Sequence, residues 1–157
     1  MLLRISILIL LFASCRSHEP TSKHQPAEAV STKALRRSPE GTVRLLYDAV
    51  NKKDYRTAYN LWQRSDGSNA SGKSFEEFAN GYAQTKSANV AITDSVRIEG
   101  AAGSLYATVP VRVDAVTTTS HQTFNGEYVL RKINIEPGSD TLPWHIESGH
   151  LVPATAP

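Results

Sequence analysis

The sequence predicts an α+β fold, with three helices first and an antiparallel sheet of about four strands after them. Two observations carry this reading. Before Asn89 the apolar residues recur at helical spacing, and after it they alternate with polar ones. Helices that precede an antiparallel meander pack together on one face of the sheet.

The first helix is marked by Val43, Leu46, Tyr47 and Val50, spaced i, i+3, i+4 and i+7. Ser38-Pro39-Glu40 starts it with an N-cap, a proline at the first helical position and an early acid. Tyr55, Ala58, Tyr59 and Trp62 repeat the spacing behind a capping Asp54. Phe75, Phe78, Ala79 and Tyr82 repeat it again, and Ser74-Phe-Glu-Glu77 has the spacing of a capping box.

Val90-Ala-Ile92 and Val96-Arg-Ile98 predict one or two short strands near a bend. Leu105, Ala107, Val109, Val111, Val113 and Ala115 form the apolar face of a long strand. Pro110 within it predicts an edge or a bulge, because proline donates nothing to a ladder. The next strand carries Phe124, Gly126, Tyr128 and Leu130 in one phase. A turn through Pro137-Gly138 leads to a last strand with Leu142, Trp144 and Ile146 inward and His145 and Glu147 outward.

The N-terminus reads differently. Arg4 precedes an apolar run from Ile5 to Phe12, then the small residues Ala13 and Ser14, and then Cys15, the sole cysteine. This is the layout of a secretory signal, and it is too short to span a bilayer as a helix. Phe12-Ala13-Ser14-Cys15 resembles the lipobox of bacterial lipoproteins, which implies cleavage before Cys15 and acylation of its thiol and new amine. Arg16 follows instead of the Asp that holds enteric lipoproteins in the inner membrane. The resemblance therefore implies an outer-membrane anchor facing the periplasm. Residues 15–37 are polar, hold two prolines and lack aromatics, so they read as a flexible tether. The expected organisation is a signal peptide over 1–14, a lipidated tether over 15–37, one folded domain over 38–153 and a disordered tail over 154–157.

The chain has 17 basic and 15 acidic residues. This balance argues against nucleic acid as a partner, since such binders show a strongly basic face.

Val43-Arg-Leu-Leu-Tyr-Asp-Ala-Val50, Lys53-Asp-Tyr-Arg-Thr-Ala-Tyr-Asn-Leu-Trp62, Ser74-Phe-Glu-Glu-Phe78, Gly126-Glu-Tyr-Val-Leu130 and Trp144-His-Ile146 resemble the nuclear transport factor two-like (NTF2-like) superfamily. That resemblance implies a cone-shaped roll, with three helices on a strongly curved sheet and a pocket at the wide end. Members include ketosteroid isomerases, dehydratases, polyketide cyclases, binding modules and bacterial lipoproteins. Fold alone therefore selects no function. The enzymes place an acid or a histidine on the inward face of the sheet. Here the inward positions are apolar or aromatic, while Asp114, Glu127, His145 and Glu147 fall in the opposite phase. A bulge near Pro110 would turn Asp114 inward.

Tyr47, Tyr59, Trp62, Phe78, Tyr82, Tyr128 and Trp144 form the core, a pocket wall, or both. Gly67-Ser-Asn-Ala-Ser-Gly72-Lys73-Ser74 matches the phosphate-loop pattern, but a helix end and a polar turn precede it where such a loop needs a buried strand. The five histidines show no metal-ligand spacing. The sequence thus predicts a non-catalytic envelope lipoprotein, without cofactor or metal, that binds a small apolar molecule or a protein partner. Two alternatives stand beside it. One is an isomerase- or dehydratase-like enzyme using Asp114 or His145 with a tyrosine. The other is an inhibitor, immunity or accessory protein of an envelope complex.

Overall fold

The computed structural model describes residues 32–135 and 141–154. The expected signal peptide, Cys15, residues 16–31 of the expected tether, the expected turn through Pro137-Gly138 and residues 155–157 lie outside the described residues. Among the described residues there are four helices and five strands, where three helices and about four strands were expected. In chain order these are α1 (32–35), α2 Pro39–Asn51, α3 Tyr55–Asn60, α4 Phe75–Gly81, β1 Thr85–Ile92, β2 Arg97–Ala101, β3 Ser104–Thr117, β4 His121–Ile133 and β5 His145–Pro153.

The extra helix corrects the boundary set at Ser38. Leu35 packs against the core. The Trp144 amide donates to the Arg36 carbonyl at 2.9 Å, and Arg36 Nη2 reaches back to the Trp144 carbonyl at 3.4 Å. Backbone bonding to a residue far away in sequence, just ahead of β5, leaves no trace in composition, so residues 32–37 read as tether although they belong to the fold.

The predicted caps are all present. Ser38 Oγ accepts from the Gly41 amide and Asp54 Oδ1 from the Thr57 amide, both at 3.0 Å. Ser74 and Glu77 bond reciprocally, at 2.8 and 3.2 Å. Helices α3 and α4 stop before Trp62 and Tyr82, which the helical stripes had included. Trp62 and Tyr82 donate instead to carbonyls three residues back, at 3.1 Å each. This tightened last turn is a common way to close a helix, and both rings stay partly buried against the core.

The sheet runs β1-β3-β4-β5 and is antiparallel, with β2 also paired to β3. β1 pairs with Val111–Thr117 of β3 and β2 with Ser104–Thr108, so the two lie along the same side of β3. Pro110 sits where the partner changes, which makes β3 neither an edge nor bulged there. The Pro110 carbonyl accepts from the Thr93 amide at 3.1 Å, in the bend between β1 and β2. An antiparallel residue turns its N and C=O to the same side, so the missing donor faces that break.

The β2–β3 turn uses Ala102 at φ 47° and Gly103 at φ 73°. Two consecutive positive φ values are the mark of a two-residue hairpin turn with the right twist. The edge is tied to α2 by Asn51. Its side chain donates to the Ala88 carbonyl at 2.8 Å and accepts from the Ala88 amide at 2.7 Å.

The core lies between α2 and the inner face of the sheet. Val43, Leu46 and Val50 from α2 meet Ala107, Val109, Val111 and Val113 from β3 and Leu130 and Ile146 from β4 and β5, all essentially buried. Leu142, expected inward, is exposed and precedes β5. The period-two phase of β4 extends one step further than expected, to a buried Lys132. Its ammonium lies 5.3 Å from the centre of the buried Trp144 ring.

β5 carries one bulge. Val129 pairs with Ser148 but Leu130 pairs with Ile146, which leaves Glu147 as the extra residue. The bulge brings both Ile146 and Gly149 opposite inward residues of β4.

Candidate functional site

Aromatic side chains from three elements converge beside the core. Trp62 follows α3, Phe78 and Tyr82 come from α4 and its end, and Tyr128 stands on β4. They line a pocket of about 590 Å³ with Lys73, Gly81, Gly149 and Leu151. A second space of about 250 Å³ shares Gly81, Tyr82, Tyr128 and Leu151 with it and extends to Tyr47, Val113 and Phe124. Together they fall in the size range of small-molecule sites.

The rings brace one another. Trp62 meets Tyr128 edge-on at 6.1 Å, Tyr128 meets Tyr47 at 6.4 Å, and Phe78 contacts Tyr82 at 5.2 Å and Tyr59 at 5.4 Å. Such pairs add about 0.5–1.5 kcal/mol each beyond area burial. The Tyr47 and Tyr128 hydroxyls share a buried hydrogen bond of 2.7 Å. Burial raises the pKa of Tyr47, Tyr128 and Tyr82; neighbouring phenols add to the rise at Tyr128, while the hydrogen bond from Tyr128 opposes it at Tyr47. All three stay protonated near neutral pH; one proton of the Tyr47–Tyr128 pair is spent between them, which leaves the other and that of Tyr82 to donate to a ligand oxygen. The Trp62 indole nitrogen is buried and has no hydrogen-bond partner among the described residues.

Gly149 sets the depth of the pocket. A Cβ there would lie 2.6 Å from Tyr128 Cε1 and 3.3 Å from Trp62 Cη2. Only a residue without a side chain lets those two rings lie against β5.

The seven aromatic residues named from sequence therefore divide. Trp62, Phe78, Tyr82 and Tyr128 line the larger pocket and Tyr47 the smaller. Tyr59 is partly buried behind Phe78, with its hydroxyl donating to the Lys73 carbonyl at 2.8 Å. Trp144 is buried away from both pockets, under Arg36 and Lys132.

The acid/base candidates do not reach this pocket. Asp114 is exposed, paired with Arg112 at 3.2 Å and bonded by Thr123 at 2.6 Å. Those two partners hold its pKa below the usual carboxylate value. The β3–β4 register is continuous through Pro110, so no bulge turns Asp114 inward. Glu127 is exposed. Neither described pocket space has a carboxylate or a histidine in its lining.

His145 corrects the sequence reading. It was placed on the solvent face, yet it is 7% exposed. It lies in a separate pocket of about 390 Å³ with Arg36 and Arg64. Its Nε2 is 3.4 Å from Glu147 Oε2, within ion-pair reach but without hydrogen-bond geometry. Glu147 is held by Arg64 through bonds of 2.6–3.1 Å. Burial lowers the His145 pKa, Glu147 opposes that, and Arg131 and Arg36 add to the lowering.

The folded state therefore favours neutral His145, and the unfolded chain binds its proton more readily. The resulting stability is present above the ordinary histidine value of 6.5 and is lost as pH falls below it. Thermal melts between pH 8 and 5 should show a falling midpoint, and a shallower fall in His145→Gln. Equal pH dependence in both proteins would contradict this burial effect.

The phosphate-loop match is explained by local bonding. Asp66 Oδ1 accepts from the Ser68 amide at 2.9 Å, and Asn69 Oδ1 accepts from the Ser71 amide at 3.0 Å. Among the described residues no strand precedes the loop, and the capping box already occupies donors at the start of α4. Among the described residues, no three His, Cys, Asp or Glu side chains gather as a metal site, and no helix is long and apolar enough to cross a membrane.

No protein-family model and no curated protein sequence matches the chain. Solved structures do. A proposed dehydratase of the NTF2-like family from Streptomyces avermitilis is similar at TM-score 0.50 and 16% identity, over 83% of this chain and all of that one. An NTF2-like superfamily protein from Salmonella enterica serovar Typhimurium has TM-score 0.49 and 12% identity, over 83% of this chain and 95% of that one. With helices on one face of an antiparallel sheet and the first of these likenesses, the described chain has the NTF2-like α+β fold.

Proposed function

We propose that the protein is a non-catalytic binding module of the bacterial cell envelope. In this reading it is lipid-anchored through Cys15 and holds a small apolar molecule in its aromatic pocket. The observation that carries the binding half is the lining itself. Trp62, Phe78, Tyr82 and Tyr128 offer ring faces and phenol donors, and among the described residues no carboxylate or histidine lines the pocket with them to move a proton. Tyrosine donors can orient a ligand carbonyl, but proton abstraction needs a base within hydrogen-bond reach. This favours binding over the dehydratase chemistry proposed for the Streptomyces protein.

The anchoring half rests on the signal-like leader and the lipobox-like Phe12-Ala13-Ser14-Cys15. More than one acyl chain makes such an anchor stable, since each buried CH₂ contributes about 0.8 kcal/mol. Cys15→Ala in the full chain should abolish labelling by a fatty-acid probe and release processed protein from the membrane. Retained labelling would overturn the anchor.

For the pocket, titration with N-phenyl-1-naphthylamine, a neutral apolar fluorophore, should give a saturable one-to-one rise in emission. A linear, unsaturated response would overturn the binding reading.

A further inference from the structure

The second pocket lies farther along β4 and β5 from the aromatic one, between Arg36, the end of α3 and the start of β5. Its polar groups are unusual for a structural cluster. Among the described residues, Arg36 Nε is buried without a hydrogen-bond partner, and so is His145 Nε2. A buried donor left unpaired is costly, more so on a charged group, and such a group is expected to have a partner.

Among the described residues the charges around it are unbalanced. Arg36 and Arg131 act on His145, and Arg64 and Arg131 act on Glu147. Glu147 is the carboxylate facing the histidine, and Asp66 acts on Arg64 from the following loop. Arg131 is committed to Ser104 by a bond of 3.1 Å and Arg64 to Glu147. Arg36 spends Nη2 on the Trp144 carbonyl, which leaves its Nε unpartnered among the described residues.

We propose that this pocket is an anion site. Arg36 and His145 receive the carboxylate or phosphate of a small organic acid, Arg64 adds its charge, and Leu142 and Pro143 contact the apolar part. Guanidinium is suited to oxyanions because its fork matches their geometry and its charge shortens the hydrogen bonds. Leu142 explains itself in the same way: it is an exposed apolar residue at the rim of a cationic pocket. The site is separate from the aromatic pocket and does not depend on its role.

The test is a titration of the full-length protein with sodium benzoate and with inorganic phosphate at pH 7. The readout is the His145 imidazole resonance, assigned by its loss in His145→Gln. At least one anion should move that signal saturably. Arg36→Gln should weaken binding by about tenfold or more, the loss of one charge-assisted bond. Glu147→Gln should tighten it several-fold, because the competing carboxylate is gone, and a gain of that kind cannot come from unfolding. Gly81→Trp, which alters only the aromatic pocket, should leave it unchanged. The proposal is overturned if neither anion moves the signal, if Arg36→Gln binds as the parent does, if Glu147→Gln weakens binding, or if Gly81→Trp abolishes it.

Discussion

Gly126→Ala should lower stability by about 3 kcal/mol or more, toward the upper end for overpacking. A Cβ at this position would sit 1.9 Å from the His150 carbonyl oxygen and 2.9 Å from its carbon. Both atoms are backbone of β5, so no rotamer change relieves the overlap. The strands β4 and β5 must part where Gly126 pairs with Leu151. The melting midpoint should fall by roughly 10 °C or more, as expected for a domain of this size. Gly81→Ala is the contrast. Nothing lies within 4 Å of a Cβ there, so that variant should melt within a few degrees of the parent. Equal midpoints for the two variants would show that the β4–β5 approach is wrongly drawn.

Gly149→Ala should damage the pocket and the fold together. The new methyl would meet Tyr128 Cε1 at 2.6 Å and Cδ1 at 2.8 Å. The ring has little room to yield, because its hydroxyl is bonded to Tyr47 at 2.7 Å and its edge rests against Trp62. Either the phenol pair breaks, leaving buried hydroxyls unpaired at about 1–3 kcal/mol, or the ring swings into the pocket. We expect a loss of about 2 kcal/mol in denaturant unfolding, and a clear fall in affinity for an apolar probe. Tyr47→Phe, which frees the Tyr128 hydroxyl without crowding its ring, should cost stability but retain more of the affinity. A Gly149→Ala protein with parental stability and affinity would refute this account of the pocket wall.

What was legible in the sequence was local or strictly periodic. Ser38, Asp54 and the Ser74/Glu77 pair mark helix starts because a cap acts within three residues of itself. Ala107, Val109, Val111 and Val113 alternate inward without interruption, so the long strand and its face could be read directly. The first edge strand was placed five residues late. Thr85-Lys-Ser-Ala-Asn89 has almost no apolar signal, and pairing with β3 and the Asn51 clamp hold it in place.

The candidate sites were legible to different degrees. Trp62, Phe78, Tyr82 and Tyr128 were named from their spacing, but their division into wall and core depends on Gly149. His145 was misread because its burial comes from Arg36 and the end of α3, which pack over the start of β5 from far away in sequence. Lys132 was within reach: one further step of the phase through Phe124, Gly126, Tyr128 and Leu130 gives it. Arg36 carried no signal, since it falls in a stretch with the composition of a tether.

The central claim is that the pocket among Trp62, Phe78, Tyr82 and Tyr128 is open and receives an apolar ligand. The most direct test titrates N-phenyl-1-naphthylamine into the full-length protein and into Gly81→Trp. Gly81 lines both pocket spaces, its φ is ordinary and a Cβ there meets nothing, so the indole can occupy the pocket without straining the fold. The account predicts saturable one-to-one binding by the parent, and its loss in a Gly81→Trp protein that melts at nearly the same temperature. Equal binding by both proteins, or none by the parent, would contradict it.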